Sequence, residues 1–341
     1  MQHSIFKQNN RFKNICQQIL DTSHVTPSGE ILVDIDKKGE ERPWQEKKER
    51  NMKLAEIYAY VDPSKQLRLV DCGKFLEFKL FSDGSKKLHS MTSCRVRLCP
   101  ICAWRRSLKT FYNNIRIVNY LKEKHNYEFI FLTLTVRNCW GHELKQTLDW
   151  LDESVHRMYE RPEWKKAVKG ACRCVEVTHN LEKDSPWYDS FHPHIHYMIA
   201  VNKSYFTSQN YLSFQKWRDL WISCTGIDYI PRMKVNKCYG TSAKAIAECS
   251  KYSTKDVEYV IPGEFNLSVK TVDILDKALA NRRLLTYTGC FRAAKRILKL
   301  EDEENGSLVN VGEDDDEKIE LDFVKQTYCW YSGYKQYVSI D

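Results

Sequence analysis

The chain has 341 residues, 42% hydrophobic and 29% charged, which supplies one large or two modest domains and excludes wholesale disorder. The longest apolar stretch, Phe129–Val136, is far too short to cross a bilayer, and the polar opening MQHSIFKQNNRFKN has no apolar signal core, so a cytoplasmic protein is expected. The net charge of +8 hides an asymmetry: residues 301–322 hold eleven acids and one lysine, leaving +18 on the remainder, and a body that basic with 12% aromatics points to a polyanionic partner, nucleic acid before membrane.

Residues 1–45 mix polar residues with Pro27, Gly29, Gly39 and Pro43 and read as a flexible N-terminal arm. The next unit, 46–125, is a helix and Cys-rich module. It opens with a charged helix over Pro43–Tyr60, followed by two short strands within Leu67–Phe81 around Cys72-Gly73, a turn at Asp83-Gly84, and a basic helix from Ala103 to His125. Residues 126–262 form the main unit, with a buried strand at Phe129–Val136 and an amphipathic helix at Leu144–Arg161. Strands at Ala171–Thr178 and His194–Val201 and helices at Ser213–Ser223 and Ser242–Tyr259 complete it. Two consecutive strands after a strand–helix pair favour an α+β fold with an antiparallel sheet over strict βα alternation. A basic helical extension at 263–300 and an acidic, solvated tail with a C-terminal segment at 301–341 complete the division. Trp140, Trp150, Trp217 and Trp221 are expected in the core.

The histidine motif is His192-Pro-His-Ile-His-Tyr-Met-Ile-Ala-Val201. Alternation along a strand points His194 and His196 to one side, where two imidazoles can share a metal ion. A third ligand should come from a neighbouring strand, and a hairpin would set Glu176 of CRCVEVT beside them. His192 shares their parity but follows an uncertain direction at Pro193, and His179, past the strand end, is a weaker candidate.

A second motif, Ala245-Ile-Ala-Glu-Cys-Ser-Lys-Tyr-Ser-Thr-Lys-Asp-Val-Glu-Tyr259, places Glu248, Tyr252 and Lys255 along one helical face. Such a face suits phosphoryl transfer: the phenol attacks phosphorus, the lysine meets negative charge, and the carboxylate can activate water. The phenol titrates near about 10, so a metal or another cation must assist it. Taken alone, such a stripe is more often a solvated helix face.

The ordered trio FLTLT, HPHIHYMIAV and ECSKYSTKDVEY resembles the HUH endonucleases, and most closely the single-tyrosine initiators of rolling-circle plasmid replication from Gram-positive bacteria. With CGKFLEFKLFSDGSKKL and CRVRLCPICAWRRSLK upstream, the resemblance covers roughly residues 43–260. It implies an HUH endonuclease fold with a central antiparallel sheet flanked by helices. It also implies a divalent ion, Mg2+ or Mn2+, on His194 and His196, an attacking Tyr252, and a terminating Glu248. Some HUH proteins place a lysine four residues after the tyrosine; here Lys255 is three after it and Lys251 directly precedes it, so the lysine role is divided between them.

Thirteen cysteines in a cytoplasmic chain are reduced thiols or metal ligands rather than a disulfide framework. Cys94-x4-Cys99-Pro-Ile-Cys102 has the tight knuckle of a structural Zn2+ site, with Cys72 as fourth ligand and His89 behind it. Arg95, Arg97, Arg105, Arg106 and Lys109, with Trp104 among them, suit phosphate contacts and base stacking, so the small zinc module is expected to grip DNA.

The expected partner is plasmid double-strand origin DNA, single-stranded or extruded at the nick. No phosphate-cradling P-loop is present, so the resemblance implies that a host helicase and DNA polymerase supply unwinding and synthesis. The alternatives are a relaxase or transposase of the same chemistry, or a non-catalytic zinc-containing DNA-binding regulator.

Overall fold

The computed structural model describes residues 28–239, 243–250, 258–312 and 322–340. Tyr252, Lys251 and Lys255 lie outside the described residues, as does most of the expected N-terminal arm.

Helix α1 (Trp44–Val61) leads into α2 (Pro63–Asp71), and the second corrects an expected strand. Pro63 occupies the first helical turn, the Asp62 carboxylate accepts from the backbone N–H groups of Ser64 and Lys65, and Gln66 and Leu69 are buried at helical spacing. The apolar LRLV run is therefore a capped helix. Strands β1 (Phe75–Phe81) and β2 (Lys86–Met91) follow as an antiparallel pair, with Gly84 at φ +81° in the turn. Helix α3 (Pro100–His125) begins three residues before the expected Ala103, because Pro100 suits its first position and the Cys99 sulfur caps the N–H of Cys102.

The larger sheet is built from β3 (Glu128–Thr135), β4 (Val168–Asn180), β5 (Ser190–Val201), β6 (Lys234–Cys238) and β7 (Leu285–Thr288), in the order β6-β3-β5-β4-β7. Every pairing is antiparallel, so the fold is α+β. One face carries Leu132, Leu134, Ile195, Tyr197 and Ile199. Against it pack the apolar sides of α4 (Leu144–Glu160), α5 (Pro162–Ala167) and α6 (Phe214–Thr225), with Trp164, Trp217 and Trp221 buried between. Trp140, expected in the core, is 41% exposed and lies against Trp187.

The other face carries Phe129, Cys172, Met198 and Ala200, covered by α3, α7 (Ala243–Ser250) and α9 (Gly289–Ile297). Helix α8 (Phe265–Ala278) precedes β7, whose LTYT sequence favours a strand. The stretch expected to be wholly helical thus contributes a sheet edge.

Strands β8 (Phe323–Tyr331) and β9 (Gln336–Ser339) return to the first half of the molecule, where β8 pairs along β1 to give the order β2-β1-β8-β9. The acidic stretch is not wholly solvated either, since residues 301–309 lie along α3. Glu303 is 4% exposed and accepts from Asn113 Nδ2 (2.7 Å) and the Tyr287 hydroxyl (3.2 Å) while pairing with Lys295. Buried, partnered carboxylates hold this part of the segment in place. Among the described residues, no helix is long and apolar enough to cross a membrane.

Candidate active site

The β4–β5 ladder sets Glu176 directly opposite His194 and Cys174 opposite His196, so all three candidate ligands share the face that carries Cys172, Met198 and Ala200. Glu176 Oε2 lies 3.0 Å from His194 Nε2 and 3.0 Å from His196 Nε2. The three ligating atoms all fall within 4.8 Å of one another. Glu176 and His196 are buried, and His194 is nearly so.

The outer nitrogens fix the ring orientations. His194 Nδ1 is 3.2 Å from the carbonyl oxygen of His192, which only accepts, so the ring carries its proton on Nδ1. Its Nε2 lone pair then faces a carboxylate oxygen, a contact that is attractive only with a proton or a cation between them. His196 Nδ1 is held by the Thr133 hydroxyl at 3.2 Å, and Phe131 stacks on the ring. Burial pushes the Glu176 carboxyl up, but the hydrogen bonds and charges of His194 and His196 outweigh it and hold the group well below the ordinary carboxylate range. An anionic oxygen and two imidazole nitrogens fit a divalent ion with positions left open for substrate.

The remaining candidates separate cleanly. His192 lies beside His194, with ring centroids 5.4 Å apart, but is not among the converging ligands. Burial first, then the charge of His194, pulls its ring below the ordinary imidazole value. The side chain of His179 is fully buried elsewhere, with Nε2 3.0 Å from Asp189 and Nδ1 3.0 Å from the carbonyl oxygen of Glu258. Glu248, on α7, lines the same 670 Å³ cavity as His192, His194 and His196. Tyr259 is buried, and its hydroxyl donates to the carbonyl oxygen of Leu98.

The second cluster brings together Cys72, Cys94, Cys99 and Cys102, all buried. Their sulfurs are 3.5 Å apart for Cys72–Cys99 and for Cys72–Cys102, and 3.8 Å for Cys94–Cys102. A tetrahedron with metal–sulfur distances of about 2.3 Å has edges of about 3.8 Å, so the set fits a closed zinc site. Hydrogen bonds from Cys72, Cys94 and Cys99 hold the Cys102 thiol well below its ordinary range. His89 is not part of the cluster; it lies 3.6 Å from Glu77. Lys48, which sequence reasoning missed, is buried beside the cysteines and donates to the carbonyl oxygens of Val70 (2.8 Å) and Cys72 (2.7 Å). Burial draws its pKa down to about 8 against the raising influence of Cys72, Cys99 and Cys94, and the fold thereby sets a cation beside four sulfurs.

Three of the five basic residues around the knuckle do not face outward as expected. Arg105, Arg106 and Lys109 are 3–4% exposed. Arg105 donates to the carbonyl oxygens of Leu308 (2.8 Å) and Val309 (2.7 Å), Arg106 donates to that of Arg95, and Lys109 pairs with Glu301. Arg95 donates to the carbonyls of Asn305 and Gly306, and Arg97 to that of Arg282. Arg95, Arg105 and Lys109 anchor the 301–309 segment, and burial of Arg105, Arg106 and Lys109 removes them from phosphate contact.

The same face holds further polar groups not anticipated from sequence: Thr133 and Thr135 on β3, Lys234 on β6 and Arg232 just before it, all lining the cavity. Their signal was the alternation in FLTLT and PRMKVNKC, readable once the strand pairing is known.

An antiparallel α+β sheet that gathers two histidines and a carboxylate on one face matches the architecture that the resemblance to HUH endonucleases implies. The chain belongs to the replication-protein family, whose family model matches residues 85–338. It is 34% identical over 335 residues to the Protein rep of Bacillus amyloliquefaciens, covering 90% of this chain and 97% of that one. Over 295 residues it is 37% identical to the Protein rep of Streptococcus pneumoniae, with 84% and 89% covered. Over 318 residues it is 35% identical to the Protein rep of Lactiplantibacillus plantarum, with 90% and 98% covered. No solved structure matches.

Proposed function

We propose that this protein initiates plasmid rolling-circle replication by nicking and rejoining one strand of the double-strand origin. The observation that carries the reading is the convergence of Glu176 on His194 and His196, which line a cavity that Glu248 also walls, on a chain of the replication-protein family. A divalent ion, Mg2+ or Mn2+, held by these three residues would polarise the scissile phosphate.

Tyr252 is the nucleophile. Its oxygen bonds to phosphorus as the bond from phosphorus to the 3′ oxygen breaks, leaving a 5′-phosphotyrosine and a 3′-OH that primes synthesis. The phenolic proton passes to the departing 3′ oxygen. Lys255 or Lys251 meets the charge that builds on the phosphoryl oxygens. The ester conserves the bond, so rejoining needs no nucleotide hydrolysis. At the second cleavage Glu248 takes a proton from water, whose oxygen replaces the leaving strand, and this irreversible step ends the round. Zn2+ on Cys72, Cys94, Cys99 and Cys102 is structural. The substrate is single-stranded or extruded at the nick, because the ligands lie in a cavity, and unwinding and synthesis fall to a host helicase and DNA polymerase.

The test incubates supercoiled origin plasmid with the protein and Mn2+ or Mg2+ and looks for open circles carrying covalently attached protein. Nicking without an adduct would remove the tyrosine mechanism. Origin binding with neither would identify a non-catalytic regulator.

A further inference from the structure

The sheet face that carries the candidate metal ligands continues past them to the sheet edge. In the strand register, Lys234 on β6 lies opposite Thr133, which lies opposite His196. One step along, Thr135 lies opposite His194 and Glu176, and its hydroxyl bonds the backbone carbonyl of Arg232. Register sets Lys234 on the same face as the two histidines, and Arg232, just before β6, lines the same cavity, with the threonine hydroxyls between. Two strand spacings separate the cations from the histidines, about 10 Å.

These two cations differ from their neighbour. Lys237 pairs with Glu128 at 3.5 Å and lies over the Phe206 ring. Arg232 and Lys234 are exposed, line the cavity, and form no salt bridge with any carboxylate among the described residues. At the other end of β6, Tyr239 is 79% exposed at the wall of the same cavity. Unneutralised cations and hydroxyl donors along one path, with an exposed ring in the same cavity, form the combination that binds a single strand, by phosphate attraction and base stacking.

We propose that Arg232 and Lys234 form a subsite for the phosphodiester backbone of single-stranded DNA flanking the scissile phosphate. The strand enters over the β6 edge, crosses Thr133 and Thr135, and reaches the histidines. The 10 Å path is spanned by about three stacked nucleotides, and fewer when they are unstacked. This inference rests on the nicking function proposed above and assigns the grip on the substrate to the sheet edge instead of to the cysteine knuckle.

The experiment uses full-length protein carrying Tyr252→Phe, which binds without reacting. Fluorescence anisotropy follows fluorescein-labelled dT20 and a hairpin duplex of the same length, without added Mg2+ or Mn2+ and without chelator, across a salt series. Arg232→Ala with Lys234→Ala should weaken dT20 binding about tenfold and lower the magnitude of the log–log salt slope by about 1.4, since each single-strand phosphate contact contributes about 0.7. Hairpin affinity should change less. The charge-matched control, Lys203→Ala with Lys216→Ala, should leave the slope near the parent value, and Arg232→Lys should recover most of the loss. Should the alanine pair upset folding, Arg232→Gln with Lys234→Gln provides the same reading. An unchanged dT20 slope, or equal losses on dT20 and hairpin, overturns the subsite. A parent protein with Tyr252 intact that binds dT20 through these residues but forms no adduct on origin plasmid would overturn the proposed function and leave the subsite standing.

Discussion

The hydroxyl of Tyr259 donates a 2.5 Å hydrogen bond to the carbonyl oxygen of Leu98, so the segment just beyond the Tyr252 motif is tied to the residue preceding the Cys99–Cys102 knuckle. On its other side the same segment is held by His179, whose ring contacts the carbonyl oxygen of Glu258 and whose backbone N–H donates to the Glu258 carboxylate. The cysteine cluster and the histidine sheet thus both contact the chain that carries the proposed nucleophile.

That bond separates the two tyrosines of the motif. Tyr252→Phe should retain origin binding and lose nicking and covalent linkage. Tyr259→Phe should retain the adduct and lose stability by about 1–3 kcal/mol, because a buried carbonyl is left without its donor. Mass spectrometry of the adduct together with a melting curve checks both. An adduct that persists in Tyr252→Phe would show that another residue attacks.

For the metal, His194→Ala or His196→Ala should abolish cleavage at any DNA concentration. Glu176→Gln should raise the Mn2+ concentration needed for half-maximal nicking at least tenfold, as one of three ligands is weakened. His179→Ala should act through stability, since that ring is spent on Asp189 and Glu258. If instead His192→Ala shifts the Mn2+ titration and Glu176→Gln does not, the third ligand is His192.

Elemental analysis of purified protein should find one zinc per chain, and Cys99→Ser or Cys102→Ser should release it and lower the melting temperature. The Leu98–Tyr259 bond adds a second expectation: these variants should cleave even a short single-stranded oligonucleotide more slowly than the parent. Metal-free protein whose melting is unaffected by chelation would remove zinc from the account.

Glu248→Ala should still nick and form the adduct, because initiation needs only the phenol, yet fail to stop after one round and give longer-than-unit products in a plasmid replication assay. Glu248→Tyr should favour re-initiation by presenting a second phenol on the same helix. A carboxylate that merely formed an exposed helix pair would contribute about 0.3–0.5 kcal/mol, and unit-length circles from Glu248→Ala would assign it that minor role.

Short-range periodicity carried most of the site. Alternation in HPHIH sets His194 and His196 on one side of β5, and a hairpin between two adjacent strands is enough to bring Glu176 opposite them. The knuckle spacing likewise brought Cys94, Cys99 and Cys102 together, with Cys72 chosen for its turn. What sequence did not disclose is the partner of each charge. Arg105 and Lys109 read as phosphate ligands because charge alone does not reveal that Leu308 and Glu301, about two hundred residues away, receive them. The LRLV run was misassigned because four apolar-rich residues fit both periods, and the decisive cap, Asp62 with Pro63, lies before them. Lys48 gave no warning, since a lysine in a charged helix ordinarily faces water.

Strand β1 lies between β2, which follows it directly, and β8, which arrives some 240 residues later. During synthesis the cysteine module therefore waits with an open sheet edge until residues 323–339 emerge, and the sheet that supports Cys72 closes last. A chain cut short after β7 would hold Glu176, His194, His196 and the four cysteines and still lack that closure. Without residues 323–339, β1 would keep one edge unpaired, and an open edge of that kind is a template for pairing with other chains.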